Sequence, residues 1–230
     1  MNLKGFSLVE LLVVLAVMGV MMGALGFSFL DNNSSDLGDS QRSLISFLNK
    51  AKSTAVSAGV ESRIIVFGEN DNPEKYLRKI QLILMDKNSS GQWMIMDESL
   101  ILPKEIWLIS DNLGAENADW PGDAQCVWSS SDQDEDFRLS LVKSKSGQAK
   151  VFEQSTEGDR FLYIKCLPSG KFTSASYPKM PKLVFGKGQL SPSSSGDIKP
   201  YFSDISQIAG IQIQPFGGIY SLDAQDFSND

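Results

Sequence analysis

Nineteen of the 25 residues from Phe6 to Leu30 are apolar, and Glu10 is the only charged one among them. As a helix this segment spans about 37 Å, more than the roughly 30 Å hydrocarbon core of a bilayer. A helix apolar all round has to be covered on every side, by lipid or by other helices. Lys4 precedes the segment, and Asp31, Asp36 and Asp39 follow it. The positive-inside rule therefore predicts a cytoplasmic amino terminus and a body on the far side of the membrane.

The remainder of the 230-residue chain is polar and acidic. The net charge of −7 argues against a nucleic-acid binder, which needs a cationic surface to displace counterions from phosphate. Histidine is absent, which removes Ser-His-Asp and Cys-His nucleophile pairs, His-based zinc sites and the commonest general base together. Two cysteines, Cys126 and Cys166, are too few for a disulfide scaffold or a four-cysteine metal centre.

Three readings of the apolar segment compete. One is a secretory signal peptide, with Lys4 as its basic region, Leu11–Val17 as its apolar core and cleavage near Ala24-Leu25-Gly26. Another is a plain signal anchor. The third turns on Glu10, because a carboxylate at mid-membrane costs about 2.5–3.5 kcal/mol on insertion scales, and less near the interface. A signal or an anchor has no use for that penalty, so the charge points to a partner.

The residues Lys4-Gly5-Phe6-Ser7-Leu8-Val9-Glu10-Leu11-Leu12-Val13-Val14 resemble the processing site of type IV prepilins and type II secretion pseudopilins. The match is a short basic leader ending in Gly, then Phe, then Glu four residues on. The resemblance implies cleavage between Gly5 and Phe6 by a membrane-embedded prepilin peptidase, which also N-methylates Phe6. It further implies that Glu10 is the family's acidic position. Glu10 lies about 6 Å along a helix from Phe6, so its carboxylate can pair with the α-amine of a neighbouring subunit and offset both desolvation costs. Gly19 and Gly23 form a small-xxx-small pair, with Gly26 close behind, which lets helices approach closely or lets this helix stretch or bend. Prepilins often carry Pro near the end of the span, whereas the first Pro here is Pro73.

Beyond the span, Asp31–Asp39 is dense in helix-disfavouring residues and predicts a break. A second helix follows, capped by Asp39 or Ser40, with Leu44, Ile45, Leu48, Ala51, Ala55 and Val56 at helical spacing up to Gly59. That stripe is the face on which the body packs, or else a partner-binding stripe. Strand patterns then take over at Arg63–Phe67, Tyr76–Met85, Trp93–Met96, Ile106–Ile109, Phe137–Val142, Phe161–Cys166, Lys171–Ser174, Lys182–Phe185, Ile211–Gln214 and Ile219–Leu222. With no strand–helix alternation, the sheets should be antiparallel. The order of helix, strand and hairpin followed by Leu102-Pro103-Lys104-Glu105-Ile106 is similar to the H-like or FimT-like minor pseudopilin branch. So are the turns Leu167-Pro-Ser-Gly-Lys-Phe172 and Pro215-Phe-Gly-Gly-Ile-Tyr220. Glu105 stands where that branch often has Gly, and Ser110–Asp136 has no counterpart.

Other constellations are weaker. Bridging Cys126 to Cys166 would close a loop of about 41 residues, worth about 4 kcal/mol by loop entropy; two buried free thiols are the alternative. Asp132-Gln-Asp134-Glu-Asp136 has alternating carboxylates, but Phe137 and Lys143 occupy the positions where a calcium loop needs Gly and Glu. Gly186-Lys-Gly-Gln lacks phosphate-loop spacing and reads as a turn, and Ser191–Gly196 as a linker or loop tip.

The expectation is an α+β chain. A leader (1–5) and an apolar membrane and assembly helix (6–30) precede a continuation helix with a polar break (31–59). A β-rich antiparallel periplasmic domain (60–230) then packs on the carboxy-terminal half of the helix. The resemblance implies a non-enzymatic filament subunit without catalytic residues, metal or cofactor. Its partners would be the prepilin peptidase/N-methyltransferase, other pilin or pseudopilin subunits, an inner-membrane assembly platform and the lipid bilayer. The alternative is an anchored or secreted β-domain that binds a ligand, such as a carbohydrate, through exposed Trp93, Trp107, Trp120 or Trp128.

Overall fold

The structure, a computed structural model, describes residues 13–14, 17–18, 32–69, 72–89, 91–110, 120–129, 137–143, 150–173, 180–192, 198–214 and 216–227. The chain divides into two compact units, Met1–Asp36 and Leu37–Asp230.

Helix α1 covers Asn32–Ala58. The break predicted over Asp31–Asp39 is not seen from Asn32 on, and Asp39 and Ser40 lie inside the helix instead of capping it. Helix propensity differences are only tenths of a kcal/mol per residue, whereas extending an established helix adds a hydrogen bond per residue fixed. Packing then decides: Leu37 lies partly buried against the main core, and Asp39 pairs with Arg42 at 3.0 Å. The far end behaves as read. Gly59 takes φ +63°, and its N–H reaches the Ala55 carbonyl at 2.9 Å. Leu44, Leu48, Ala51 and Ala55 are wholly buried, so the stripe is the packing face. Val56, counted into it from the sequence, falls on the next position around the helix and is 51% exposed.

All thirteen strands among the described residues pair antiparallel. Six of them close on themselves: β1 (Ser62–Phe67), β2 (Lys79–Met85), β3 (Gln92–Ile101), β6 (Lys150–Gln154), β5 (Arg138–Lys143) and β7 (Asp159–Cys166). They run in that order, and β7 pairs back onto β1, with β8 (Phe172–Thr173) appended to β7. A second, four-stranded sheet runs β13 (Ile219–Leu222), β12 (Ile208–Ile213), β9 (Lys182–Lys187), β4 (Ile106–Leu108). A ribbon of β10 (Gln189–Pro192) and β11 (Ile198–Tyr201) stands by itself.

Closing the ring buries β1 and β7 on both faces. Ile64 and Val66 of β1, with Ile164 and Cys166 of β7, join the main core with the α1 stripe and the second sheet. The opposite faces, Ile65 with Phe161 and Tyr163, meet Ile83, Trp93, Phe137, Leu139 and Phe152 in a separate core inside the ring. Aromatic rings dominate there: Phe137–Tyr163 and Phe67–Phe161 centroids are 4.7 Å apart, and Trp93 meets Phe137 edge-on at 6.1 Å. The guanidinium of Arg63 sits among them, 4.5 Å from the Trp93 and Phe137 rings and 4.3 Å from Tyr163. Its Nε donates to Glu61 at 2.7 Å, and Glu61 also pairs with Lys165 at 2.9 Å. Three ring faces and a carboxylate replace the water this cation loses.

Sequence patterns miss several elements. Strand β6 escapes because Lys150-Val-Phe-Glu-Gln154 has only two apolar residues, which pack with β3 and β5. Gly186 is inside β9, not in a turn, and β10 takes in Ser191 and Pro192 of the predicted linker. The joint is Gly188, where a Cβ would lie 2.6 Å from the Tyr201 carbonyl. Tyr76–Arg78 form a turn, so the predicted strand starts only at Lys79. At a register shift between β2 and β3, the buried Gln81 amide donates to the Met96 and Glu98 carbonyls at 2.6 and 2.8 Å.

Glu105 takes φ +68° in the Pro103–Ile106 turn, where its carbonyl accepts from Gly188 N–H at 2.8 Å. Left-handed backbone costs a non-glycine residue about 1–2 kcal/mol, and glycine gives back about 0.5–1 through chain entropy. Glu105→Gly should therefore raise stability by up to about 1 kcal/mol in urea unfolding, and Glu105→Val should lower it. Arg63→Ala empties the space between three ring faces and leaves Glu61 with Lys165 alone, and should cost about 2 kcal/mol in the same measurement. Leu141→Ala, at an exposed site, should change it by less than about 0.5 kcal/mol.

Candidate functional site

The residues that the sequence singles out for processing and assembly, Gly5, Phe6, Glu10, Gly19 and Gly23, lie outside the described residues. Within the span, Val13, Val14, Val17 and Met18 are described: all are helical, and each is about half exposed. Val13 with Val17 and Val14 with Met18 stand four residues apart, so they form neighbouring stripes of one helix surface. Among the described residues no helix is long and apolar enough to cross a membrane.

The folded domain removes the basis of the ligand-binding alternative. Trp93, Trp107 and Trp120 are buried, and Trp128 packs partly buried on the main core. None is a flat exposed ring for a sugar face. Asp132–Asp136, considered for calcium, lies outside the described residues.

Cys126 and Cys166 are both buried free thiols, so the disulfide alternative gives way. Each sulfur has its own local setting. Cys126 exchanges hydrogen bonds with Val184 of β9, accepting from its N–H and donating to its carbonyl, both at 3.2 Å. Cys166 ends β7, paired to Ser62 of β1 on one side and Phe172 of β8 on the other. Burial pushes the Cys126 thiol up to about 12 and the Cys166 thiol up to about 11, against weaker opposing hydrogen bonds. Lys182 holds the neighbouring segment. Its mostly buried ammonium donates to the Asp123 carbonyl, lies 3.6 Å from the Asp123 carboxylate and stands 5.5 Å over Phe227.

The two Pro-x-Gly turns, far apart in sequence, come together on α1. Gly170 (φ +78°) and Gly217 (φ +83°) pack against Lys52 and Val56; a Cβ on Gly217 would meet the Lys52 side chain and, at 2.9 Å, the Gly170 carbonyl. Lys52 Nζ donates to the Gly217 carbonyl at 3.3 Å. This juxtaposition had no sequence signal beyond the turns themselves, since it depends on where α1 lies.

Residues 1–26 match the family model described as the prokaryotic N-terminal methylation motif. That motif covers the same residues on which the sequence resembles type IV prepilins and pseudopilins. Among solved structures it is similar to the minor pseudopilin EpsH from the type 2 secretion system of Vibrio cholerae. That similarity has 11% identity and a TM-score of 0.39, over 82% of this chain and 97% of the other. No curated protein matches it. The motif implies processing by a prepilin peptidase and assembly with other pilin-type subunits.

The thiols give a direct check on the domain. A raised thiol pKa keeps each cysteine protonated below about pH 11, so neither should react with iodoacetamide at pH 8 until the domain unfolds. The same shift makes the folded state the better proton binder above the ordinary thiol value of 9.0. Stability from this source is complete below pH 9 and should decline between pH 9 and 11 in thermal unfolding. Intact mass should be the same with and without reductant.

Proposed function

We propose that this chain is a minor pilin or pseudopilin, a structural subunit of a type IV pilus-like or type II secretion pseudopilus filament. The methylation motif over residues 1–26 carries the reading, because it joins a basic leader, Gly5, Phe6 and Glu10 in register with an apolar span. Prepilin peptidase cuts between Gly5 and Phe6 and methylates Phe6. The span, about residues 6–30, holds the subunit in the inner membrane with its amino terminus cytoplasmic and its domain periplasmic. An inner-membrane platform then extracts the subunit into a bundle of like helices.

Extraction is an exchange of environments. An apolar helix leaves lipid only if neighbouring helices cover it equally well, so the exchange itself contributes little net drive. Glu10 supplies direction and register by pairing with the α-amine of the next subunit, a contact that one axial offset satisfies and others leave unpaired. Gly19 and Gly23 allow the close approach that this packing needs.

Intact-mass analysis of the chain from its native membrane tests the reading. It should lack residues 1–5 and carry one added methyl group on Phe6. A chain still starting at Met1, or trimmed by more than twenty residues, would remove the proposal. Glu10→Val should insert and be cleaved at close to normal levels yet enter filaments at least tenfold less, measured in sheared filament fractions.

A further inference from the structure

We propose that the two joined turns form a docking patch for a carboxylate-bearing segment of a different pilin-type subunit, the neighbour of this chain in its filament; the inference rests on the filament reading above. The patch consists of Lys52 and Val56 of α1, Lys171 of the first turn, and Phe216 and Tyr220 of the second hairpin. Phe216 is 79% exposed, Tyr220 55% and Val56 51%, so three large apolar groups face water within one small area. Lys171 Nζ lies 5.2 Å over the Phe216 ring, and Lys52 Nζ is held by the Gly217 carbonyl.

Charge selects the occupant. Neither ammonium is ion-paired with a carboxylate among the described residues, whereas Lys50, Lys165, Lys182 and Lys187 are. The chain as a whole carries −7, so two cations without a carboxylate partner among the described residues, beside exposed aromatics, run against its average. At physiological salt, charge acts over about 8 Å, so contact pairs matter and the overall acidity does not. An acidic partner segment gains two ion pairs at its rim and apolar cover at its centre, the usual anatomy of a specific interface. A two-fold self-contact centred on the patch would instead set lysine against lysine. Two lysines are too few to hold a polyanion such as nucleic acid against a net charge of −7.

The backbone preforms the patch. Both turns depend on glycines in left-handed conformation, and the second is closed by Gln214 N–H to the Gly218 carbonyl and Gly217 N–H to the Gln214 carbonyl, each at 2.8 Å. Little ordering remains to be done on binding, which favours recognition by a rigid surface.

In vivo photo-crosslinking of the full-length chain in its native membrane tests this, with a benzophenone analogue of phenylalanine at position 216 and mass spectrometry of the crosslinked peptide. The expected product joins this chain to an Asp- or Glu-containing peptide of another pilin-type subunit. Lys171→Glu should cut the yield about tenfold, as should Lys52→Glu with Lys171→Glu. Lys171→Arg should preserve it, and reversing the identified carboxylate to Lys should restore the yield in Lys171→Glu. Lys171→Glu leaves the Lys52 contact to Gly217 intact, and an unchanged unfolding midpoint would show that the domain still folds. Crosslinks to lipid, to a second copy of this chain, or to a partner indifferent to the charge reversal would each overturn the proposal. Leader processing and filament incorporation are read in the same samples. A processed, incorporated chain without the crosslink removes the patch alone, whereas a chain that never enters filaments removes the patch together with the filament reading.

Discussion

The ladder between β1 and β7 is the constraint on which the rest of the domain depends. Without it, six strands form an open sheet with two raw edges; with it, they become a ring that encloses an aromatic core and keeps an apolar outer wall. That wall is what α1 packs on. Ser62 of β1 ties the two together by donating to the Ala51 carbonyl at 3.2 Å, in the middle of the buried stripe. A side chain on β1 therefore faces either the helix or the ring interior, which explains how a strand of Ser-Arg-Ile-Ile-Val-Phe can have no exposed residue.

Burying Arg63 inside an aromatic cluster is costly unless every part of the cation finds a substitute for water. Here the ring faces take the flat sides and Glu61 takes the Nε edge. A methionine at the same place would fill the volume at lower desolvation cost but would not choose among neighbouring registers. The pairing of a charged centre with an otherwise greasy environment thus occurs in the folded domain, where it is satisfied within one chain. In the proposed filament the same physics operates at Glu10, where satisfaction has to come from another subunit. The first contact sets strand register and the second would set subunit register.

Much of the fold was legible because it followed periodicity. The α1 stripe, its Gly59 end and most strands of the ring and second sheet announce themselves in alternating or helical apolar spacing. The misses share a cause: local composition was outvoted by packing. Asn32–Asp39 is poor in helix formers yet helical, because its energetic disadvantage is small beside the gain from extending a helix already anchored at Leu44 and Leu48. Strand β6 is polar because only Val151 and Phe152 of its five residues are buried. Gly186 and Gly188 look like a turn, but one sits within a strand and the other makes a tight crossing against Tyr201. The free thiols, too, follow from placement, since Cys126 belongs with β9 and Cys166 with the β1–β7 ladder.

By itself the sequence determined that one end of this chain is an apolar stretch needing cover and that residues 1–26 carry a methylation motif, because those properties depend on residue order and apolarity alone. It determined likewise that the remainder is an antiparallel β-rich body behind a second helix. Only the tertiary structure decided that the strands close into a ring, that all four tryptophans turn inward, and that two distant turns meet over Lys52. Such outcomes depend on which surfaces come into contact across more than a hundred residues, and no local pattern encodes a contact of that range.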